Sequence, residues 1–126
     1  MKYLFDTNIL IYFFNGSLPD ELKDSITEMM KKSFGISVIS KMEFLGFDRF
    51  SDIERKKARH FLSFAKVLPL EDVIVEYVIK MKQTRKIKLP DGIIAATAIL
   101  GDFHLVTRNV EDFKNIDVKL INPFQV

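Results

Sequence analysis

Most of the 17 acidic residues sit among other charges, as in "PDEL", "SDIERKK" and "LEDVIVE", and read as solvated surface. Four keep different company. Asp6 closes a short apolar run after Leu4 and Phe5, and Glu43 lies between Met42 and Phe44. Asp91 heads "DGIIAATAILG", whose other residues carry no charge, and Asp112 stands between Glu111 and Phe113, just beyond "HLVT". Carboxylates that share a site repel one another and are costly unless neutralised. A hard divalent cation, Mg²⁺ or Mn²⁺, bound through oxygen with water completing its shell, neutralises them at least cost. The chain has no Cys and two His, so no cluster competes for a softer metal, and His60 and His104, beside Phe or apolar residues, are assigned no catalytic role. Each acid also has an ordinary explanation: Asp91 as a helix cap, Asp6 as a strand-end turn residue, Glu43 as a half-buried helix residue. Their joint placement has to decide.

The elements that must place them alternate along the chain. "KYLF" reads as a buried strand and "NILIYFFN" as a helix closed by Asn15 and Gly16. Leu22, Ile26, Met29 and Met30 fall at helical spacing after Pro19. "FGISVIS" is expected as a second strand and "KMEFLGF" as a short helix after it. Ala58, Phe61, Leu62 and Ala65 share a helix face, "KVLPL" is a brief strand, and Ile74, Tyr77, Val78 and Met81 mark another amphipathic helix. The Asp91 segment is an apolar helix, followed by the strands "FHLVT" and "VKLIN" around the turn-rich "RNVEDF". Strands alternating with helices imply an α/β domain with a central, mainly parallel sheet of roughly four to five strands flanked by helices. Ligands bind beyond the carboxyl ends of the strands in such sheets. Asp6, Glu43 and Asp112 each follow a strand, and Asp91 joins them if its helix starts at the same rim, where it is expected to cap the helix and ligand the metal at once.

Bulk composition excludes little else. With 126 residues, 48% apolar residues and a net charge of +2, the chain fits one ordinary soluble domain spanning 1–126. No repeat, linker or low-complexity tract interrupts it. The opening "MKYLFDTNILIYFF" is broken by Asp6 and Asn8 and lacks a small-residue cleavage site, so neither a leader nor a membrane span is expected. The absence of Cys fits the cytoplasm.

Four stretches carry a family resemblance that spans nearly the whole chain. "YLFDTNILI", "SVISKMEF", "LPDGIIAATAIL" and "LVTRNVEDF" resemble the motifs of the PIN-domain nucleases, in particular the VapC-type toxins of prokaryotic toxin–antitoxin pairs. The third stretch is the most specific. Gly46 sits one residue earlier than the family pattern has its glycine after Glu43. The resemblance implies a PIN-like α/β sandwich whose acids bind Mg²⁺ or Mn²⁺ and which cleaves RNA phosphodiesters. Carried over residue by residue, Asp6, Glu43 and Asp91 are the central metal-binding acids. The fourth position falls to Asp112 or to Asn109, which could ligand through its carbonyl or orient a water. Thr7, Asn8, Thr107 and Arg108 match polar motif positions and are expected to support the acids.

Partners follow from the same resemblance: an RNA substrate, a small antitoxin that blocks the acid pocket, and a homodimer, with exposed apolar surface around Phe13, Phe14 or Phe47 as its expected face. The basic stretch containing Lys80, Lys82, Arg85, Lys86 and Lys88 precedes the Asp91 helix, and Arg55, Lys56, Lys57 and Arg59 form a second. Either could neutralise phosphates; a solvated helix face explains each equally well, and neither interleaves aromatics that would stack bases. Rival readings fare worse. An aspartyl-phosphate enzyme of the haloacid-dehalogenase type wants an acid where Asn8 stands, and a phospho-receiver wants paired early acids. A free-standing RNA-processing nuclease and a non-catalytic, metal-stabilised binding module remain as alternatives.

Overall fold

The computed structural model describes residues 1–125. Five strands, β1 (Tyr3–Phe5), β2 (Gly35–Ser37), β3 (Lys66–Leu68), β4 (His104–Val106) and β5 (Leu120–Ile121), form one sheet in the order β3-β2-β1-β4-β5. Every pairing is parallel. Successive strand residues point to opposite faces, so Leu4 and Leu105 enter one core while Phe5, Ile36 and Val106 enter the other. Helices α5 (Asp72–Thr84) and α6 (Leu89–Gly101) fill the first core. Helices α1 (Thr7–Phe14), α2 (Asp20–Lys32), α3 (Val38–Leu45) and α4 (Asp52–Leu62) fill the second. Burial on both faces explains why these strands are continuous apolar runs rather than alternating ones.

β1 is the middle strand, with β2 on one side and β4 on the other. The chain order therefore reverses at β1, and the crevice beyond its carboxyl end is the topological switch point where open α/β sheets bind ligands. Close strand approach is built in: a Cβ on Gly35 would lie 2.9 Å from the Tyr3 carbonyl oxygen, inside any tolerated contact. α6 can lie tightly on the sheet because Ala95, Ala96 and Ala98 are fully buried small residues. The one hydroxyl among them, Thr97, satisfies itself by donating to the Ile93 carbonyl at 2.7 Å.

Several boundaries differ from the expectations set by the sequence. β2 stops at Ser37, and Val38–Ser40, expected as strand, open α3 instead. The Ser37 hydroxyl accepts from the Ile39 amide at 3.2 Å, and this cap turns the chain into helix despite two β-branched residues. Ala65 lies beyond α4, which closes at Leu62. β5 is confined to Leu120–Ile121 within the longer stretch expected.

The expected apolar face around Phe13, Phe14 and Phe47 is not an exposed face. Phe13 stacks on Phe61 with centroids 5.5 Å apart, Phe14 meets Phe44 edge-on at 5.5 Å, and Phe47 meets Phe50 at 5.1 Å. All three are half-buried in an aromatic cluster assembled from helices distant in sequence. Exposed large apolar side chains occur instead at Leu70, Val75, Ile79 and Leu89, which line a groove of about 200 Å³ with Val78 and Ile93. Among the described residues no helix is long and apolar enough to cross a membrane.

Candidate active site

Asp6 follows β1 directly and is almost fully buried. It is the N-cap of α1: its Oδ1 accepts the Thr7 amide at 2.8 Å. Its Oδ2 accepts from the Thr107 hydroxyl at 2.8 Å and from the Asn8 side-chain amide at 3.0 Å. The β1–β4 pairing makes this possible, because the Asp6 amide donates to the Val106 carbonyl at 2.9 Å and so sets Asp6 beside Thr107. Burial pushes the Asp6 pKa above its ordinary value. The bonds from Thr107, Thr7 and Asn8 oppose that shift, and the charge of Glu43 adds to it.

The other acids arrive on separate elements. Glu43 projects from α3, is exposed, and accepts from the Thr7 hydroxyl at Oε1, 2.7 Å away. Asp112 belongs to a single 3-10 turn, Val110–Phe113, anchored by the fully buried Phe113 ring. Asn109 precedes that turn and donates its amide to the Thr107 hydroxyl at 3.0 Å. Thr107 is thus a hub between Asp6 and the turn that carries Asp112.

Asp91 lies in the first turn of α6, and its expected role as cap is not observed. The helix begins at Leu89 with Lys88 as N-cap and no side-chain capping bond, which puts Asp91 two residues inside. Pro90 accounts for the shift, since proline is tolerated in the first turn, where its missing N–H costs nothing. The carboxylate still benefits from the positive helix end. Its pKa is nevertheless pushed up to about 6, first by burial and then by the charges of Asp112, Asp6 and Glu43, against a smaller opposing effect of Lys88. Asp6 holds the capping role in this site.

All four carboxylates line one open pocket of about 340 Å³, together with Asn109, Thr7 and Asn8. Four like charges from four elements, sharing one hollow and raising the pKa of Asp6 and Asp91, form a cation-seeking environment. The donor set is all oxygen, which suits a hard divalent ion. Among the described residues no three acidic or imidazole side chains are placed as a ready-made metal cage. Ile11 and Phe47 form the apolar part of the lining. Sequence reading missed both, although Ile11 is one helical turn after Asn8 and Phe47 one turn after Glu43.

The remaining expected residues divide. Thr7, Asn8 and Thr107 support the acids directly. Arg108 does so only through its backbone, whose amide donates to the Asn8 side-chain oxygen at 3.2 Å. Four cations of the basic stretch before α6, Lys82, Arg85, Lys86 and Lys88, converge on one hollow, and none of them lines the acid pocket. Lys82 donates to the Ile87 carbonyl at 2.9 Å and Arg85 to the Asn115 carbonyl at 2.7 Å. With Lys86 and Lys88 they border that hollow of about 460 Å³, while Lys80 lines another beside Tyr77 and Asp117. Of the five, Lys88 is the one whose charge lowers the Asp91 pKa.

The family model of the PIN domain matches residues 3–119. Among solved structures, a chain of a toxin–antitoxin complex from Klebsiella pneumoniae is 32% identical, with 98% of this chain and 99% of that one covered and a TM-score of 0.79. VapBC2 from Rickettsia felis, bound to a DNA fragment from its promoter, matches at 26% identity, 97% and 98% coverage and a TM-score of 0.80. VapBC-1 from nontypeable Haemophilus influenzae shares the fold at 24% identity, with 99% and 100% coverage and a TM-score of 0.81. A comparison with curated proteins returned no match. The acid-bearing stretches at Asp6, Glu43, Asp91 and Asp112 all fall within the matched residues, and the chain belongs to the PIN domain family.

Proposed function

We propose that this protein is an endoribonuclease dependent on Mg²⁺ or Mn²⁺, and that it is the toxin of a toxin–antitoxin pair. The observation that carries the reading is the meeting of Asp6, Glu43, Asp91 and Asp112 on one pocket at the switch point of the sheet. Asp6, Glu43 and Asp91 would hold the cation through carboxylate oxygens, and Asp112 or Asn109 would complete the protein's share of its shell. When bound, the ion supplies Lewis acidity to water and to the scissile phosphate. A carboxylate oxygen not engaged with the cation accepts a proton from the attacking water. Thr7, Asn8 and Thr107 fix the acids before substrate arrives, which spares reorganisation during the reaction.

The toxin assignment rests on the likeness to chains from toxin–antitoxin complexes at 32% and 26% identity over nearly their whole length. It brings with it a small antitoxin partner that covers the acid pocket. A homodimer is part of the same proposal. The exposed strip of Leu70, Val75, Ile79 and Leu89 is the face it would cover, and a monomer by light scattering at micromolar concentration would remove that element.

Cleavage of RNA by the purified protein tests the central reading. Total tRNA and structured ribosomal fragments should be cut with Mg²⁺ or Mn²⁺ and spared in EDTA. Cleavage that persists in EDTA would contradict it. Metal binding without cleavage of any substrate would instead favour a binding module.

A further inference from the structure

Lys88 is the cation whose charge reaches Asp91, and a second cation tied to the acid pocket, Arg108, lies outside both basic stretches. Arg108 follows Thr107 at the end of β4 and is exposed. Its guanidinium carbon lies 4.5 Å from the centroid of the Phe124 ring and 5.4 Å from that of Tyr12. The two rings meet edge-on, 5.8 Å apart at 74°. Both distances fall within cation–π range. Among the described residues the guanidinium makes no ion pair and no hydrogen bond. Lys82 and Arg85, in contrast, each spend a donor on a backbone carbonyl.

Position strengthens the case. The Arg108 backbone amide is bonded to Asn8, whose side-chain amide is bonded to Asp6. Tyr12 lies one helical turn after Asn8 on α1, and the intervening Ile11 lines the acid pocket. The Arg108 backbone and the α1 turn that carries Tyr12 are therefore both tied to Asn8, a residue of the acid pocket, and the cation and two rings themselves lie outside its lining. A guanidinium held flat by aromatic neighbours loses little freedom on binding and keeps its N–H fork available for phosphate oxygens. Half-exposed Tyr12 and Phe124 offer the faces on which unpaired bases stack.

We infer that Arg108, Tyr12 and Phe124 form a substrate subsite at the lip of the acid pocket, which binds the phosphate and stacks the base of an unpaired nucleotide next to the cleaved bond. This rests on the nuclease reading. The competing role is purely structural: a cation–π clasp that pins the C-terminal segment onto α1. The two roles differ in what they do to RNA binding.

The test measures affinity for a short single-stranded RNA against salt concentration, in the intact chain carrying Asp91→Asn to silence cleavage, together with the melting temperature of each variant. Arg108→Gln should weaken binding about tenfold and lower the slope of log affinity against log salt by about one. Arg108→Lys should restore the slope, since the charge remains. Tyr12→Leu should weaken binding with the slope unchanged, because stacking is not ionic. Unchanged affinity and slope in Arg108→Gln, with only its melting temperature lowered, would overturn the subsite and leave the nuclease standing. RNA binding absent from the parent protein, with no cleavage by the wild type, would overturn both. If Arg108→Gln fails to fold, Tyr12→Leu decides by affinity: weakened RNA binding at an unchanged slope supports the subsite, and unchanged affinity in a folded variant overturns it.

Discussion

Replacing Asp91 with Asn is expected to cut RNA cleavage by about a thousandfold or more, the scale of losing a group that acts on developing charge in the reaction. The same substitution should make the metal-free protein more stable at pH 7.5. Asp91 is held near pKa 6, against an ordinary value of 3.8, mainly by burial and then by Asp112, Asp6 and Glu43. A raised carboxylate pKa means that the folded state resists ionisation, so charging Asp91 opposes folding. That cost is full above about pH 6, where the group is charged in both states, and fades as pH falls from about 6 toward 3.8. After allowance for solvent at a half-exposed group, the expected gain is about 1 kcal/mol. Melting curves from pH 4 to 8 check it: the gap between Asp91→Asn and wild type should open with rising pH. A saturating divalent cation should reverse the order by stabilising the wild type. A mutant less stable than wild type at every pH, without metal, would contradict the repulsion argument.

Thr107→Val gives the second large effect, through position rather than contact. Valine keeps the shape of this fully buried residue and deletes an oxygen that donates to Asp6 at 2.8 Å and accepts from the Asn109 amide at 3.0 Å. Asp6 would be left with the Thr7 and Asn8 bonds, and the turn carrying Asp112 would lose its tie to β4. Outer supports of metal-binding groups typically matter by about ten- to a hundredfold in metal affinity or activity. Leaving buried polar groups unpaired costs about 1–3 kcal/mol in stability. Thr107→Ser should recover most of both, because the hydroxyl returns. Calorimetry with Mn²⁺ and denaturant melts separate the two losses. A fall in stability with unchanged metal affinity would make Thr107 a packing residue only.

The acid set was legible in the sequence because chain direction does the placing. Asp6 and Thr107 follow parallel strands that lie side by side, so their meeting needs nothing beyond strand order. Asp91 reached the same rim for the expected reason, while its position within the helix did not follow: Asp-before-apolar reads as a cap, and only the structure puts Leu89 and Pro90 inside the first turn. Ser37 shows the opposite case. Its capping bond ends β2 early, against the strand preference of Val38 and Ile39, because a satisfied helix start outweighs a weak β propensity.

What the sequence hid depends on contacts between distant segments. Phe13, Phe14 and Phe47 look like surplus aromatics in a chain with 12 Phe, and their partners, Phe61, Phe44 and Phe50, come from other helices or another part of the loop. Arg108 has no aromatic neighbour in sequence, and its stack with Tyr12 and Phe124 joins three separate segments. Charge runs say little about surroundings for the same reason: Lys82 and Arg85 are conspicuous in sequence, and their bonds to backbone carbonyls appear only in the fold.

Whether the four carboxylates act as one cation site is decided by titration of Mn²⁺ into the purified protein. The wild type should bind with a defined stoichiometry and, at about pH 6 and below, release protons as it does so, since the raised Asp91 carboxyl is then partly protonated and must ionise to bind. Asp6→Asn and Asp91→Asn should each abolish or greatly weaken that binding. Equal binding by wild type and both variants would mean that these acids do not share an ion, and the nuclease assignment would lose its foundation.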